Sequence, residues 1–505
     1  MAGPGTTASA TARPTTADER LMGAERAPDP AGPIGAPRDR GTGSLRRRTL
    51  IGLPLLAGGA LATATAAHWL TARPEPVLLS GGVVIWTDGV ITPLHPRTEI
   101  ECLPGTRVPA SSANPLGPDD AERAAALEAY QRRTSGARLP QGRWKDLAAD
   151  ALADLLALTG PVLAAQEFPD PDGPAPEVFD AGAVVAGPVS AWRYVWPRDA
   201  SFAAVALDAV GLRDEALAIL RQLAALQLPD GGFEARYNAA GQAPDNRPRQ
   251  EDGAGWFLWA LGRLAAGEGA GTAAPGGPGG SASSADLEGL AAPAARAAAR
   301  LMALTSTLTY LPPAGADYWE VPEKRTTLGL AAPVLLGLEA ALALTDSLPG
   351  GAAPSREGLA DRVARVRGAM ERVFNPGWGR HVRDDDVDAA IALVGPPFTQ
   401  QLEGSAPVRA GARARMTRAS GGMAPGSGWR DDGVSWTPET ALLAWSAAAL
   451  GERGEAEELM AWLESHRTAA GALPEKVVAD GSPAGPAPLA WTCALVLLTA
   501  AELSG

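Results

Sequence analysis

Helical periodicity with no strands between the helices is the feature that most limits what this chain can fold into. From Asp119 onward apolar residues recur at helical spacing: Leu147, Ala151, Leu155 and Leu158, then Val205, Ala206 and Ala209, then Leu217, Leu220 and Ala224. Further helical segments begin near Gly253, Ala285, Leu328, Ser355, Val387, Trp436, Gly454 and Pro486. The total is about a dozen helices, mostly in pairs joined by turns or loops. A parallel α/β fold needs strands alternating with helices, so it is excluded. A helical solenoid would show a sequence repeat of fixed period, and none is evident. The expectation is an all-α fold, a closed barrel of helix pairs over residues 119–505, with function on the loops at one end.

The chain before the helices has a different character. Residues 1–48 are rich in Ala, Gly, Pro, Thr and Arg, lack an apolar period, and are expected to be a disordered tail. Arg46-Arg47-Arg48-Thr49 then precedes LIGLPLLAGGALATATAA. A basic run before an apolar, small-residue segment is the pattern of a secretory or twin-arginine-like signal. Residues 49–70 therefore read as a signal peptide, with Ala64-Thr65-Ala66 as a cleavage site, or as a membrane anchor approaching the roughly 20 residues that span a bilayer. Either places the rest outside, so the expected location is extracellular or on the cell envelope. Residues 75–110 suggest a small β element. GGVVIWT, Asp88-Gly89 and VITPL have the form of a hairpin with a type I′ turn, and TEIECL may add a strand. Two stretches read as flexible insertions without identifiable chemistry: GTAAPGGPGGSASS (271–284) and residues 405–433.

Charge and composition narrow the partners. The 44 basic and 57 acidic residues give a net charge of −13, which argues against nucleic acid or an anionic membrane face. There are 14 Trp against 5 Tyr and 7 Phe; indoles stack on sugar rings and also fill cores. Cys102 and Cys493 lie in no metal-ligand spacing, and can either pair outside the cell or stay as buried free thiols. Asp384, Asp385 and Asp388 satisfy a DDxxD diphosphate pattern, but its usual Asn-Ser/Thr-Glu partner is absent. Asp384, Asp386 and Asp388 imitate the start of a calcium loop, but Ala389 stands where that loop needs Gly. Both readings are rejected, and the four histidines form no motif.

Four segments carry candidate chemistry. In AWRYVWPRDASFAAVALDAVGL, Arg193, Trp196, Arg198 and Asp199 crowd a helix start, where an adjacent Arg and Asp can grip several hydroxyls of one sugar. QLPDGGFEARYNAAGQAPDNRPRQEDGAGWFLWAL is a long polar loop ending at Gln250, Glu251 and Asp252. In AGADYWEVPEKR, Glu320 follows Tyr318 and Trp319, and an apolar neighbourhood there would favour the protonated form that a general acid needs. In AAGALPEKVVADGSPAGPAPLAWTCALVLL, Lys476 beside Glu475 favours the ionised form that a general base needs.

In this order the four segments resemble glycoside hydrolase family 15, the glucoamylases and glucodextranase-like enzymes. The family's YRYVWPRD, QLDEYG, DxWE and PEQ read here as WRYVWPRD, QEDGAG, DYWE and PEK, from about Ala191 to the C-terminus. The resemblance implies an (α/α)6 barrel and an inverting, exo-acting hydrolase that releases glucose from α-glucosides. It makes Glu320 the general acid and Glu475 the general base. It makes Trp196, Arg198, Asp199, Asp252, Trp319 and Trp436 the substrate-binding residues. It implies no cofactor and no metal, and the expected state is a monomer. Val321 replaces a frequent second acid and Lys476 replaces Gln, which puts the differences on the leaving-group side. Trehalose or an isomalto-type linkage is the alternative substrate. A non-catalytic carbohydrate-binding envelope protein is the alternative class.

Overall fold

The structure, a computed structural model, describes residues 76–85, 89–110, 120–165, 174–267, 289–347 and 353–505. The tail at 1–48, the signal or anchor at 49–70 and the insertion at 271–284 lie outside the described residues. Among the described residues no helix is long and apolar enough to cross a membrane.

Among the described residues there are twelve α-helices: α1 (Asp120–Arg133), α2 (Lys145–Ala157), α3 (Pro197–Ala209), α4 (Arg213–Leu226), α5 (Gly253–Ala266), α6 (Ala291–Leu304), α7 (Leu328–Ala343), α8 (Arg356–Phe374), α9 (Ser405–Met416), α10 (Thr437–Ala449), α11 (Arg453–Ser465) and α12 (Ala490–Ser504). They form two concentric rings. In the inner ring α3, α5, α7, a 3-10 turn at Ala389–Val394, α10 and α12 each pack on the next, and α12 returns to α3. In the outer ring α4, α6, α8, α9, α11 and α2 each back one inner element. The fold is all-α, an (α/α)6 barrel as expected.

The two rings differ in sequence for a physical reason. Inner helices meet neighbours on every side, so α3 buries every residue from Pro197 to Leu207. An outer helix buries one stripe, and α4 hides Ala216, Leu217, Ile219, Leu220 and Leu223 while its other face is wet. The barrel axis is filled by aromatic rings. Phe202 lies 4.9 Å from Trp259, 5.1 Å from Trp256 and 5.7 Å from Trp491, centroid to centroid. Many of the tryptophans are therefore core. Where α5 crosses α7, a Cβ on Gly255 would stand 2.2 Å from the Pro333 carbonyl oxygen, so only glycine permits that approach.

Two helical expectations are corrected. The segment near Val387 forms the six-residue 3-10 turn rather than an α-helix. Asp388 caps it by accepting from the Ala390 N–H at 2.8 Å, and Gly395-Pro396-Pro397 ends it because prolines lack the N–H that continued pairing requires. Residues 405–433 are not a flexible insertion. Ser405–Met416 is α9, anchored by Arg409 donating to the Leu443 carbonyl at 2.8 Å and to Ser446 Oγ at 2.9 Å.

The N-terminal β element is a small sheet. β1 (Gly82–Ile85) pairs antiparallel with β2 (Val90–Leu94), β2 pairs parallel with β3 (Val162–Leu163), and β3 pairs antiparallel with β4 (Glu177–Val178). TEIECL contributes only an isolated bridge, Cys102 to Pro109. The sheet is fastened to the loop before α12: Ser80 Oγ donates to the Ala487 carbonyl at 2.8 Å, and Leu78 bridges Gly485. Cys102 and Cys493 are both free thiols, and burial raises the Cys102 thiol to about 11.

Candidate active site

Inner elements run parallel, so their N-termini gather at one end of the barrel. Five positions singled out in the sequence are cap or first-turn residues there. Trp196 is the N-cap of α3 with Arg198 and Asp199 in its first turn, Asp252 is the N-cap of α5, and Trp436 is the N-cap of α10. Asp388 caps the 3-10 turn at the same end. Helix N-termini carry partial positive charge, and this suits a site built on carboxylates.

Glu320 sits on a tight turn before α7. Its N–H donates to the Asp317 carbonyl at 2.8 Å, and Asp317 Oδ1 accepts the Trp319 N–H at 3.0 Å. The turn forces Glu320 to φ 55°, a left-handed conformation that costs a glutamate about 1 kcal/mol. Asp317 is itself fixed by the Arg380 guanidinium at 2.8 Å, and Arg380 lies 3.7 Å over the Trp319 ring. The Trp196 indole N–H donates to Glu320 Oε1 at 2.8 Å. The Arg247 guanidinium binds Glu320 Oε2. The apolar surroundings expected for Glu320 are therefore corrected: its side chain is 21% exposed and lies between an indole N–H and a guanidinium. Trp319 covers one side of the turn but offers its ring to Arg380 and Trp429.

Glu475 is held by sheet pairing. Trp436 on β5 (Ser435–Trp436) pairs with Lys476 on β6 (Lys476–Val477), and β6 pairs with β7 (Pro483–Ala484). The Glu475 carbonyl accepts the Thr437 N–H at 3.0 Å, and the Glu475 N–H donates to the Pro486 carbonyl at 2.9 Å. Its carboxylate accepts the Trp192 indole N–H at 3.1 Å and lies 3.0 Å from Lys476 Nζ. Lys476 in turn stands 4.2 Å over the Trp436 ring. Each glutamate thus has one indole donor and one cation.

A cluster of buried polar groups links the two glutamates electrostatically: Arg198 feels Glu320, and Glu439 feels Arg198 and Glu475. Arg198 pairs with Asp199 at 2.9 Å and lies 4.3 Å over Trp491. Burial works against the Arg198 charge, but Asp199, Asp252 and Glu320 outweigh it and raise its pKa. Asp252 accepts the Trp256 indole N–H at 3.0 Å. Burial pushes Asp252 up to about 6, against the pull of Arg198. Several buried polar atoms here have no protein partner: Arg198 Nε and Nη1, Glu439 Oε2, and the indole nitrogens of Trp319, Trp436 and Trp491. Buried polar groups are rarely left unpaired, so these donors and acceptors near the barrel end are available to a polar ligand.

The structure brings all eight sequence-derived residues, Trp196, Arg198, Asp199, Asp252, Trp319, Glu320, Trp436 and Glu475, to this end of the barrel. It excludes two near neighbours. Arg193 binds Glu177 and the carbonyl oxygens of Leu163 and Ala164, and Glu251 binds Arg300 at 2.6 Å. Sequence reasoning missed Trp192, Arg247, Glu439 and Trp491. Trp192, Arg247 and Trp491 stood inside segments that were singled out, and Glu439 lies three residues after Trp436. Arg247 had no local signal, because the bend of the loop alone carries it to Glu320.

No protein-family model and no curated protein matches the sequence. Solved structures do match the fold. A wild-type glycosidase aligns with TM-score 0.52 and 21% identity over 64% of this chain and 91% of that one. A bacterial glucoamylase complexed with acarbose aligns with TM-score 0.51 and 16% identity over 77% of this chain and 62% of that one. The fold is that of the glucoamylases. The family 15 glucoamylase of Hypocrea jecorina matches as well, with TM-score 0.51 and 15% identity over 70% of this chain and 71% of that one. On this glucoamylase fold Trp196, Arg198, Asp199, Asp252 and Trp436 lie at the N-terminal ends of inner helices. Among the described residues the one cluster spaced for a metal, Asp384 to Asp386, belongs to a different segment from the two glutamates.

Proposed function

We propose that this chain is an inverting glycoside hydrolase that releases glucose from the ends of α-glucosides, with Glu320 as general acid and Glu475 as general base. One observation carries the reading: two glutamates, each oriented by an indole N–H, belong to the same electrostatic neighbourhood. Arg198 feels Glu320, Glu439 feels both Arg198 and Glu475, and the pocket they share holds unpaired donors and acceptors. Glu320 gives its proton to the glycosidic oxygen as the C1–O bond breaks. Glu475 takes a proton from the water that adds to C1 from the other face. One water is consumed and two hydroxyl-bearing products form. Arg198 and Asp199 hold hydroxyls of the terminal sugar, and Trp436 and Trp491 offer faces to its apolar side. No step requires a metal or an organic cofactor.

Glu475 has a cation beside it, Lys476 Nζ at 3.0 Å from its carboxylate. Arg247 covers one oxygen of Glu320, so the leaving sugar has to displace it. That contact puts linkage discrimination on the leaving-group side, where maltose-like, isomalto-type and trehalose substrates differ. The basic-apolar run at 46–70 supports export or anchoring, and with it a reaction outside the cytoplasm.

Proton NMR of the anomeric region tests the proposal. The protein is mixed with maltose, maltotriose, isomaltose or trehalose. Early β-glucose from one of them supports inversion and identifies the linkage. Early α-glucose from maltotriose, whose leaving group is maltose, overturns inversion, whereas trehalose yields one β- and one α-glucose from an inverting enzyme. No release from any of these substrates, or from longer α-glucans, overturns the hydrolase and leaves sugar binding alone.

A further inference from the structure

Glu439 is a carboxyl that the two-glutamate mechanism does not use. It is 3% exposed, in the third position of α10, and its Oε2 has no partner. A glutamate there commonly reaches back to the N–H of the N-cap residue and closes the helix end. Here the N-cap is Trp436, and its N–H already donates to the Met423 carbonyl at 2.7 Å. The carboxyl instead accepts its own backbone N–H, which is free in the first turn, so capping accounts for one oxygen and leaves Oε2 without a partner.

Its surroundings point into the sugar pocket. Two residues earlier, Thr437 is tied to the backbone of Glu475. Charges reach Glu439 from every side: Arg198 on α3, Glu475 beside β6, Asp388 before the 3-10 turn, and the phenol of Tyr318. Arg198 presents two unpaired nitrogens in the same region. A carboxyl oxygen buried without a partner among these groups costs free energy. A ligand with hydroxyls would satisfy both sets of atoms at once.

We infer that Glu439 is a third carboxyl of the pocket and hydrogen-bonds a ring hydroxyl of the terminal glucose held by Arg198 and Asp199, an inference that rests on the glycosidase reading. It makes Glu439 a specificity-determining residue. It bonds a hydroxyl away from C1 and takes no part in moving the catalytic proton. In the folded protein burial raises Glu439 to about 8, so at neutral pH it is a neutral acid that donates to a hydroxyl oxygen and accepts through its other oxygen.

The test is calorimetric binding of glucose and of its 2-, 3-, 4- and 6-deoxy analogues to the full-length protein, as wild type, Glu439→Gln and Glu439→Leu. Circular dichroism confirms folding of each. Glu439→Leu should bind glucose about tenfold to a hundredfold more weakly, because a sugar hydroxyl loses its partner in a buried site. Glu439→Gln keeps a donor and an acceptor and should stay within about fivefold of wild type. One deoxy analogue should bind wild type poorly, and the leucine variant should bind that analogue no worse than it binds glucose. Above about pH 8 wild-type affinity should change while the glutamine variant's stays level. The glutamine variant carries these tests if the leucine variant does not fold. Equal glucose affinity in all three proteins, or wild-type and glutamine affinities that track each other across that pH range, overturns the role of Glu439 while the sugar pocket stands. A folded wild type that binds neither glucose nor any α-glucoside overturns the pocket, and this inference with it.

Discussion

Trp196 and Glu320 are joined by an indole N–H to carboxylate hydrogen bond of 2.8 Å, across 124 residues of chain. The bond fixes one oxygen of the proposed acid from the N-cap of α3, while the strained turn before α7 fixes its backbone. Trp192 does the same for Glu475 over 283 residues. Both glutamates are thus aimed by residues of the same short segment, Trp192 to Trp196.

Replacing either glutamate by glutamine removes the proton donor or acceptor and leaves the shape. Glu320→Gln and Glu475→Gln should each lower kcat by about a thousandfold or more, with unchanged helical content. Trp196→Phe keeps the ring and removes the N–H, and should lower kcat by about tenfold with little effect on Tm. Steady-state kinetics on the substrate found by NMR checks all three. A retained rate in a glutamine variant removes that residue from the mechanism.

Arg247 should govern the leaving group. Arg247→Ala frees Glu320 Oε2 and should change the ratio of kcat/KM between two disaccharides of different linkage by about tenfold. Glucose affinity should stay the same, because Arg247 reaches the acid and not the Arg198–Asp199 pair. Equal scaling of all substrates would show that Arg247 is only a structural partner of Glu320.

Glu439 makes stability depend on pH. Its ordinary value is 4.5, and burial carries it to about 8 in the folded protein. Between these values the unfolded chain has lost this proton and the folded one still holds it. The contribution is complete below the lower value and declines as pH rises to the upper one, by up to ~1.4 kcal/mol per pH unit. Urea midpoints of wild type and Glu439→Gln at several pH values check this. Wild type should lose ground to the variant steadily between about pH 5 and pH 8. Parallel courses would mean that Glu439 ionises in the folded state as it does in the unfolded chain.

The α5–α7 crossing should tolerate nothing larger than glycine. Gly255→Ala drives a Cβ to 2.2 Å from a backbone oxygen and should cost about 2–3 kcal/mol or more, read as a lower Tm. Gly411→Ala on α9 is the control. Nothing lies within 4 Å of its added Cβ, and it should gain roughly 0.5–1 kcal/mol of stability.

The barrel was legible because inner and outer helices bury different fractions of their surface, and period shows that. The four ordered segments marked the right end of the barrel because they precede inner helices or lie in the loop before one. The 3-10 turn was misread as an α-helix: Ala389–Val394 is apolar throughout, and the prolines that shorten it come after it. Residues 405–433 were misread because Arg- and Gly-rich composition hides a helix whose anchor, Arg409, is buried by tertiary contacts. The surroundings of Glu320 were inferred from Tyr318 and Trp319, its neighbours in sequence. Its neighbours in space, Arg247 and Trp196, arrive from elsewhere. Glu439 was invisible for a related reason, since only the packed structure shows that its oxygen has no partner.

The two glutamates rest on different kinds of support, and this makes one half of the pocket exchangeable. Glu475 is woven into β5–β7 together with Trp436, so altering that side disturbs the proposed base. Arg247 comes from residues 238–249, which contain no helix and no strand. A different loop grafted between α4 and α5 would meet the leaving group first and leave the sheet around Glu475 as it is. New acceptor preferences could then arise by trading that loop alone, with the hydrolytic machinery inherited unchanged.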